Sequence, residues 1–227
     1  IWWHDSGQIS SEGSYKDGNL DGTTISWYKN GAKESEGNYK NGNLDGTKIS
    51  WYDDGPKKLE RNYKKGKLDG EYTEWYKNGS KKSEGNYKNG KQYGNWIWWH
   101  DSGQISSEGS YKDGFLDGTK ISWYKNGAKE SEENYQNSEL VNSTIFSYYK
   151  NGQIESVINK KDRLLNGKST YWHDKGQKFL DANYKDGEKD GEWIFWKING
   201  QKDEERNYKD GDLVDKTIFK YGYFTGR

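Results

Sequence analysis

Three histidines, one acid in nearly every repeat and a set of Asp-Gly pairs are the residues with the chemistry for a reaction or a metal. His4, His100 and His173 could ligate zinc or act as bases, but all three occupy one repeat position, filled elsewhere by Tyr28, Tyr52, Tyr76 and Tyr124. They fall several repeats apart, so they cannot converge on one metal or triad, and they read as aromatic rings on strands. The acids are Glu12, Glu36, Glu60, Glu84, Glu108, Glu132, Asp181 and Glu205. Paired carboxylates would suit glycoside hydrolysis. These recur beside lysines with no special pair, which predicts cross-strand charge pairing instead. Strings such as Asp17-Gly18 with Asp21-Gly22 resemble calcium loops without their dense carboxylate spacing, and Asn41 and Lys65 replace the first Asp elsewhere. They read as turns. With no unique acid, base or nucleophile, the reading is of a protein that is not an enzyme, and no cofactor or metal is predicted.

What positions these residues is a repeat. Trp3, Trp27, Trp51, Trp75, Trp99 and Trp123 follow one another at 24 residues; Tyr148 comes after 25, then Trp172 and Trp196 at 24. A fixed period of this length marks a repeat architecture. Tyrosine falls twelve residues after each Trp, at Tyr15, Tyr39, Tyr63, Tyr87, Tyr111, Tyr135, Tyr184 and Tyr208. Residues 1–38 match 97–134 except at Asn19/Phe115, Thr24/Lys120 and Gly37/Glu133, a copied block of four repeats.

Within a repeat, Thr23–Tyr28 is β-branched and aromatic and reads as a strand. Lys29-Asn30-Gly31 reads as a three-residue hairpin loop with Gly31 left-handed, because only its last position is always Gly. That loop sets Trp27 opposite Lys33, Ile25 opposite Ser35 and Thr23 opposite Gly37. It predicts one face with Ile25, Trp27, Gly37 and Tyr39, and another with Ser26, Tyr28, Glu34, Glu36 and Asn38. Lys40–Thr47, with Asn41-Gly42 and Asp45-Gly46 around Leu44, reads as a loop. Two strands per repeat advance the sheet roughly 10 Å, so the whole would be on the order of 90 Å long.

The fold class predicted is all-β: an elongated single-layer antiparallel sheet of about nine to ten 24-residue hairpin repeats. Regular repeats run over 1–132, degenerate repeats with a bulge or bend over 133–168, regular repeats over 169–215 and a C-terminal cap over 216–227. The insertion is placed near Asn142–Ser147 as a bulge. Lys160-Lys161-Asp162-Arg163 replaces the usual turn.

Hydrophobic residues are only 29%, yet aromatics are 16%, with twelve Trp and nineteen Tyr in register, which argues against disorder. Acidic and basic residues are equal at 36 each and interleaved, disfavouring nucleic acid as a partner. There is no cysteine, so no disulfide framework. No apolar run is long enough for a membrane span. The chain opens inside a repeat without methionine and reads as a processed or trimmed product, any leader being out of view. Its Asn/Lys-rich, Pro-poor composition reads as bacterial, at the cell surface, secreted or cytoplasmic. Asn142-Ser143-Thr144 therefore carries little weight as a glycosylation site.

One strand departs from the repeat. Trp96, Trp98 and His100 alternate on the face opposite Trp99, where other repeats have Thr24, Ser26 and Tyr28. With Tyr76 and Tyr124 in neighbouring repeats, and Trp193 and Phe195 repeating the pattern later, they form the candidate partner-binding set. The rings could stack on a sugar, a peptide or a protein, or pack against a second copy of the chain.

The units Gly-x-Tyr-x-x-Gly-x-x-x-Gly and Trp-Tyr-x-x-Gly-x-x-x-x-x-Gly resemble MORN repeats. Lys77–Gly90 resembles the bacterial variant in the YwqK-like antitoxin family. The resemblance implies a single-layer sheet of hairpins, in scaffolds, lipid-associated and junctional proteins, and antitoxins. It implies little about biochemistry. A weaker similarity, to choline- and glucan-binding hairpin modules, fits the 24-residue period badly. The expected function is a non-catalytic repeat protein that binds or scaffolds a protein partner through a sheet face. The alternatives are an antitoxin or immunity protein with one partner toxin, and a surface carbohydrate or cell-wall binding module using the outer Trp residues.

Overall fold

The computed structural model describes residues 1–220, all strand and turn. The chain divides into two compact units, Ile1–Ala128 and Lys129–Arg227. The first holds β1 (Trp2–Trp3), β2 (Ile9–Lys16), β3 (Asn19–Trp27), β4 (Lys33–Lys40), β5 (Asn43–Trp51), β6 (Lys57–Lys64), β7 (Lys67–Trp75), β8 (Lys81–Lys88), β9 (Lys91–Trp99), β10 (Ile105–Lys112) and β11 (Phe115–Trp123). Each pairs antiparallel with the next as a meander. The second holds β12 (Lys129–Gln136), β13 (Glu139–Tyr148), β14 (Ile154–Lys161), β15 (Leu164–Leu165), β16 (Gly167–Trp172), β17 (Lys178–Lys185), β18 (Glu188–Trp196), β19 (Lys202–Lys209) and β20 (Asp212–Ile218). It is a meander too, except that β14 pairs with both β15 and β16. Each unit is thus a single-layer antiparallel sheet of hairpin repeats. The expected cap begins inside β20 and, from residue 221, lies outside the described residues.

A one-layer sheet has no second layer to cover either face. The chain accordingly exposes 14229 Å², against about 10,700 Å² for a compact monomer of its mass. Among the described residues four hydrophobic side chains are buried: Trp96, Ala182, Trp193 and Tyr208. The fold therefore rests on ladder bonds, turns and half-buried rings rather than on a central core.

The three-residue loop forms as expected. Tyr28 N–H donates to the Ala32 carbonyl at 2.8 Å, Gly31 N–H to the Tyr28 carbonyl at 2.9 Å, and Gly31 has φ +83°. Asn30 Oδ1 accepts from Ala32 N–H at 3.0 Å, while Asn30 Nδ2 donates to the Asp53 carbonyl of the next loop at 2.8 Å. Neighbouring loops are thereby tied together along one edge of the sheet.

Beyond the loop the predicted register fails. Trp27 does face Lys33, but Ser26 then faces Ser35, Ile25 faces Glu36 and Thr24 faces Gly37. Glu34 is a bulge residue, and because side chains alternate with period two, one extra residue moves the rest of the strand to the other face. Gly37 and Tyr39 therefore lie not with Trp27 but with Thr24 and Ser26, whose hydroxyl bonds Ser35 at 2.8 Å. Glu36 and Asn38 join Ile25 and Trp27. The sheet of the first unit has a tryptophan face and a tyrosine face. Glu36 pairs along its own strand rather than across it: Lys33 Nζ meets Glu36 at 2.8 Å and sits 5.3 Å above the Trp51 ring. Lys57 and Lys81 repeat this with Glu60 and Glu84, over Trp75 and Trp99.

Lys40–Thr47 is not a loop. Asn41-Gly42, at φ +47° and +78°, is a two-residue hairpin turn, and β5 starts at once. Asp45-Gly46 lies inside β5 as a bulge: Asn38 stands opposite three residues, because Gly37 pairs with Lys48 and Tyr39 with Leu44. Gly46 has φ +112°, a conformation open to glycine. The preceding Asp is equally used: Asp21 Oδ2 accepts from Asn41 N–H at 3.2 Å and Asp69 from Asn89 N–H at 3.0 Å. Asn142 and Asp215 stand where the glycine would be needed, and there the bulge shrinks to one residue, Val141 or Val214.

The Asp162-Arg163 turn keeps the two-residue shape although Arg163 must hold φ +68°. Left-handed backbone costs a non-glycine residue about 1–2 kcal/mol. Arg163→Gly is expected to stabilise the second unit by about 1 kcal/mol, read as a higher urea midpoint. An unchanged or lower midpoint would show that the arginine side chain offsets its strain.

Candidate functional site

The aromatic departure in β9 is built on small neighbours. Trp96 faces Gly109 and Trp98 faces Ser107 on β10, while Trp98 faces Ser83 on β8. A Cβ on Gly85 would overlap the Trp96 ring. Glycine on both flanks lets the indole lie flat across the tyrosine face. Its ring centroid is 5.3 Å from Tyr72, 5.1 Å from Tyr87, 5.8 Å from Trp98 and 6.4 Å from Tyr111. Its Nε1–H donates to the Asn86 carbonyl at 3.2 Å. Trp96 is 2% exposed, the floor of the cluster rather than an open stacking surface. Trp98 and Tyr111, 6.0 Å apart, are half-buried and form its rim. Burial, then the neighbouring Glu74 carboxylate, pushes the Tyr72 phenol up to about 12.

His100 and Tyr76 are spent elsewhere. His100 Nε2 bonds the Trp123 carbonyl at 3.1 Å and Tyr76 Oη donates to the Trp99 carbonyl at 2.8 Å. Tyr28, Tyr52 and His4 make the same bond to the next repeat. The histidines at 4 and 100 thus replace a tyrosine hydroxyl with a ring nitrogen, as their shared repeat position implies. Tyr124 closes the following turn through its backbone, donating to the Ala128 carbonyl at 2.9 Å.

The second unit builds a similar cluster by itself. Trp193, 6% exposed, packs over Ala182 with Tyr184 at 5.1 Å, Tyr208 at 5.4 Å and Phe195 at 6.4 Å. Its Nε1–H donates to the Asn183 carbonyl at 2.8 Å, and Lys189 Nζ lies 4.7 Å above its ring. The bulge at Glu34 and its equivalents is what brings Tyr87, Tyr111, Tyr184 and Tyr208 onto the face of these tryptophans, whereas Tyr72 holds the repeat position of Thr24 and Trp96 and shares their face by alternation alone.

Among the described residues no group of three or more His, Asp or Glu could hold a metal ion, and no helix is long and apolar enough to cross a membrane. The arrangement offers rings and hydrogen-bonded turns. It defines a repeat protein of the hairpin-sheet class, with an aromatic cluster on one face of each unit. Residues 1–17, 20–41, 68–89, 92–113 and 116–137 match the family described as MORN repeat variant. Each of the last four matched segments runs from one two-residue turn to the next, so it encloses one three-residue hairpin. No curated protein matches the chain.

Proposed function

We propose that this chain is a non-catalytic repeat scaffold that binds a protein partner on the tyrosine face of its first unit, with Trp98 and Tyr111 in contact. The observation that supports this most is the half-buried Trp98 seated on the buried Trp96. A rigid aromatic on a packed floor is the anatomy of an interface hot spot, since little side-chain entropy remains to be lost. The match to MORN repeats and the lack of a metal cluster among the described residues fit a non-catalytic role. In the second unit Phe195, under the Arg206 guanidinium at 4.7 Å, offers a comparable rim.

The test is affinity capture from source lysate and envelope fractions with the wild-type chain and Trp98→Ala as paired baits. One stoichiometric protein on the wild type is expected, bound at least about 30-fold more weakly by the variant. Equal capture by both baits would remove the cluster as the site. The captured protein's identity separates a general scaffold from an immunity protein with one toxin. Retention on glycan with no protein captured would favour carbohydrate stacking instead.

A further inference from the structure

A row of side chains runs across the tyrosine face of the first unit, one from each strand. Gly37 faces Lys48, Lys48 faces Arg61, and Arg61 faces Tyr72. Lys48 and Arg61 are like charges directly opposite each other, an arrangement that destabilises a sheet unless something lies between them. No carboxylate pairs with either among the described residues. Glu74, near Arg61, is already held by Lys82 at 2.8 Å. Arg61 Nε is shut off from solvent with no hydrogen-bond partner, although buried polar groups are nearly always satisfied. Burial, then the Arg61 charge, holds the Lys48 ammonium below its ordinary range. Both residues line an open cavity of about 300 Å³, with Lys58, Ser35, Ser50 and Glu34 also on its wall.

The second unit shows how this fold settles such a pair. Arg206 faces Lys216 across β19–β20. Glu204 bridges them: it pairs with Arg206 and lies 2.9 Å from Lys216 Nζ. These two bonds hold the Glu204 carboxyl at about 2. Two residues before Arg61, where Glu204 precedes Arg206, the first unit has Leu59. The bridging oxyanion is thus missing from the chain itself.

We propose that the Lys48–Arg61 pair is a binding site for a doubly charged oxyanion of the phosphate class, inorganic phosphate or a phosphomonoester. Three cations, Lys48, Arg61 and Lys58, against the one carboxylate of Glu34 leave two positive charges for the ligand to neutralise. The Arg61 guanidinium and Lys48 Nζ donate to its oxygens, and the Ser35 and Ser50 hydroxyls stand on the same wall.

The test titrates the whole chain with inorganic phosphate and with phenyl phosphate, against sodium chloride at equal ionic strength. The readouts are the Arg61 Nε–H resonance and the melting temperature. Phosphate is expected to shift the resonance saturably and, at about tenfold excess over Kd, to raise the melting temperature by about 3 °C. Tighter binding of phenyl phosphate would mark an organic phosphate as the ligand; equal binding would mark the free ion. Lys48→Thr and Arg61→Gly are compatible with the fold, because Thr24 and Gly37 occupy those positions in other repeats. Both should abolish the rise in melting temperature, Lys48→Thr should also abolish the Arg61 Nε–H shift, and in chloride alone both should melt no lower than wild type. The proposal is overturned if chloride reproduces the phosphate shift, if Lys48→Thr still responds, or if removing the like charge lowers the melting temperature.

Discussion

Trp96→Ala should destabilise the first unit by about 3–5 kcal/mol, the cost of emptying a fully buried indole site. Few positions here can cost so much, because in a one-layer sheet few side chains are covered at all. Trp96 is 2% exposed and touches four other rings, so its removal leaves a cavity that the flat strand beneath cannot fill. Trp98→Ala, at the half-buried rim, should cost much less, which is why it is the better probe of binding. The measurement is urea denaturation followed by far-ultraviolet circular dichroism. A loss below about 1 kcal/mol would mean that Tyr72 and Tyr87 collapse into the gap. A double-mutant cycle sharpens the argument. Gly85→Ala collides with the Trp96 ring in the wild type and should be nearly neutral in the Trp96→Ala background. Equal costs in both backgrounds would assign the glycine to backbone need, against the ordinary side chains of Arg61 and Ala182 at the same repeat position.

Asp181→Asn should cost the second unit about 3 kcal/mol at neutral pH, the lower end for breaking a buried ion pair because its lysines remain partly hydrated. Asp181 is the one repeat acid that is buried, at 4% exposed. Its Oδ2 receives Lys168 Nζ at 2.8 Å and Lys178 Nζ at 3.1 Å, and its Oδ1 accepts from Thr170 Oγ1 at 2.7 Å. Burial by itself would raise the carboxyl, but bonds from Lys168, Thr170 and Lys178 outweigh it and hold it below its ordinary value. A folded-state value below the unfolded one means that the unfolded chain takes up the proton first. The stabilisation is therefore fully present above the ordinary carboxylate range and is lost as pH falls through the depressed value. Wild type and Asp181→Asn should converge in strongly acidic solution; a gap that does not close with acid would show packing, not charge, as the cause. The equivalent Glu36, whose pair with Lys33 is exposed on both sides, should tolerate the same change within about 0.5 kcal/mol.

The repeat length, the hairpins and the three-residue loop were legible because they depend on local chemistry: a Trp every 24 residues and a glycine wherever the loop must turn left-handed. The face assignment was not. Glu34 carries no glycine or proline to mark it as a bulge residue, yet it decides where Gly37, Tyr39 and every equivalent tyrosine point. Asp45-Gly46 misled in the opposite direction, since the same pair that makes a turn also makes a bulge within a strand. Trp96 and Trp98 stood out from the repeat, and the structure does bring them together. That Trp96 is the floor and Trp98 the rim depends on Tyr72, which alternation puts on their face, and on Tyr87 and Tyr111, which the predicted register puts on the far side. Lys48 and Arg61 stand at the repeat positions of Thr24 and Gly37, but that they oppose each other follows only from the observed register.

Among the described residues of the first unit every ladder joins a strand to the next or the previous one in sequence, and the turn-to-turn bonds from Tyr28, Asn30 and Asp21 reach just one repeat ahead. The gene can therefore lengthen or shorten by whole repeats without any junction meeting a stranger. A copied block arrives with the same tyrosine to offer and the same tryptophan carbonyl to receive it. Residues 1–38 and 97–134, nearly identical and set 96 residues apart, read as one such copied block. Of the three differences between the two segments, one sets Lys120 where Thr24 stands. Duplication supplies new surface already folded, and point substitution then writes on it.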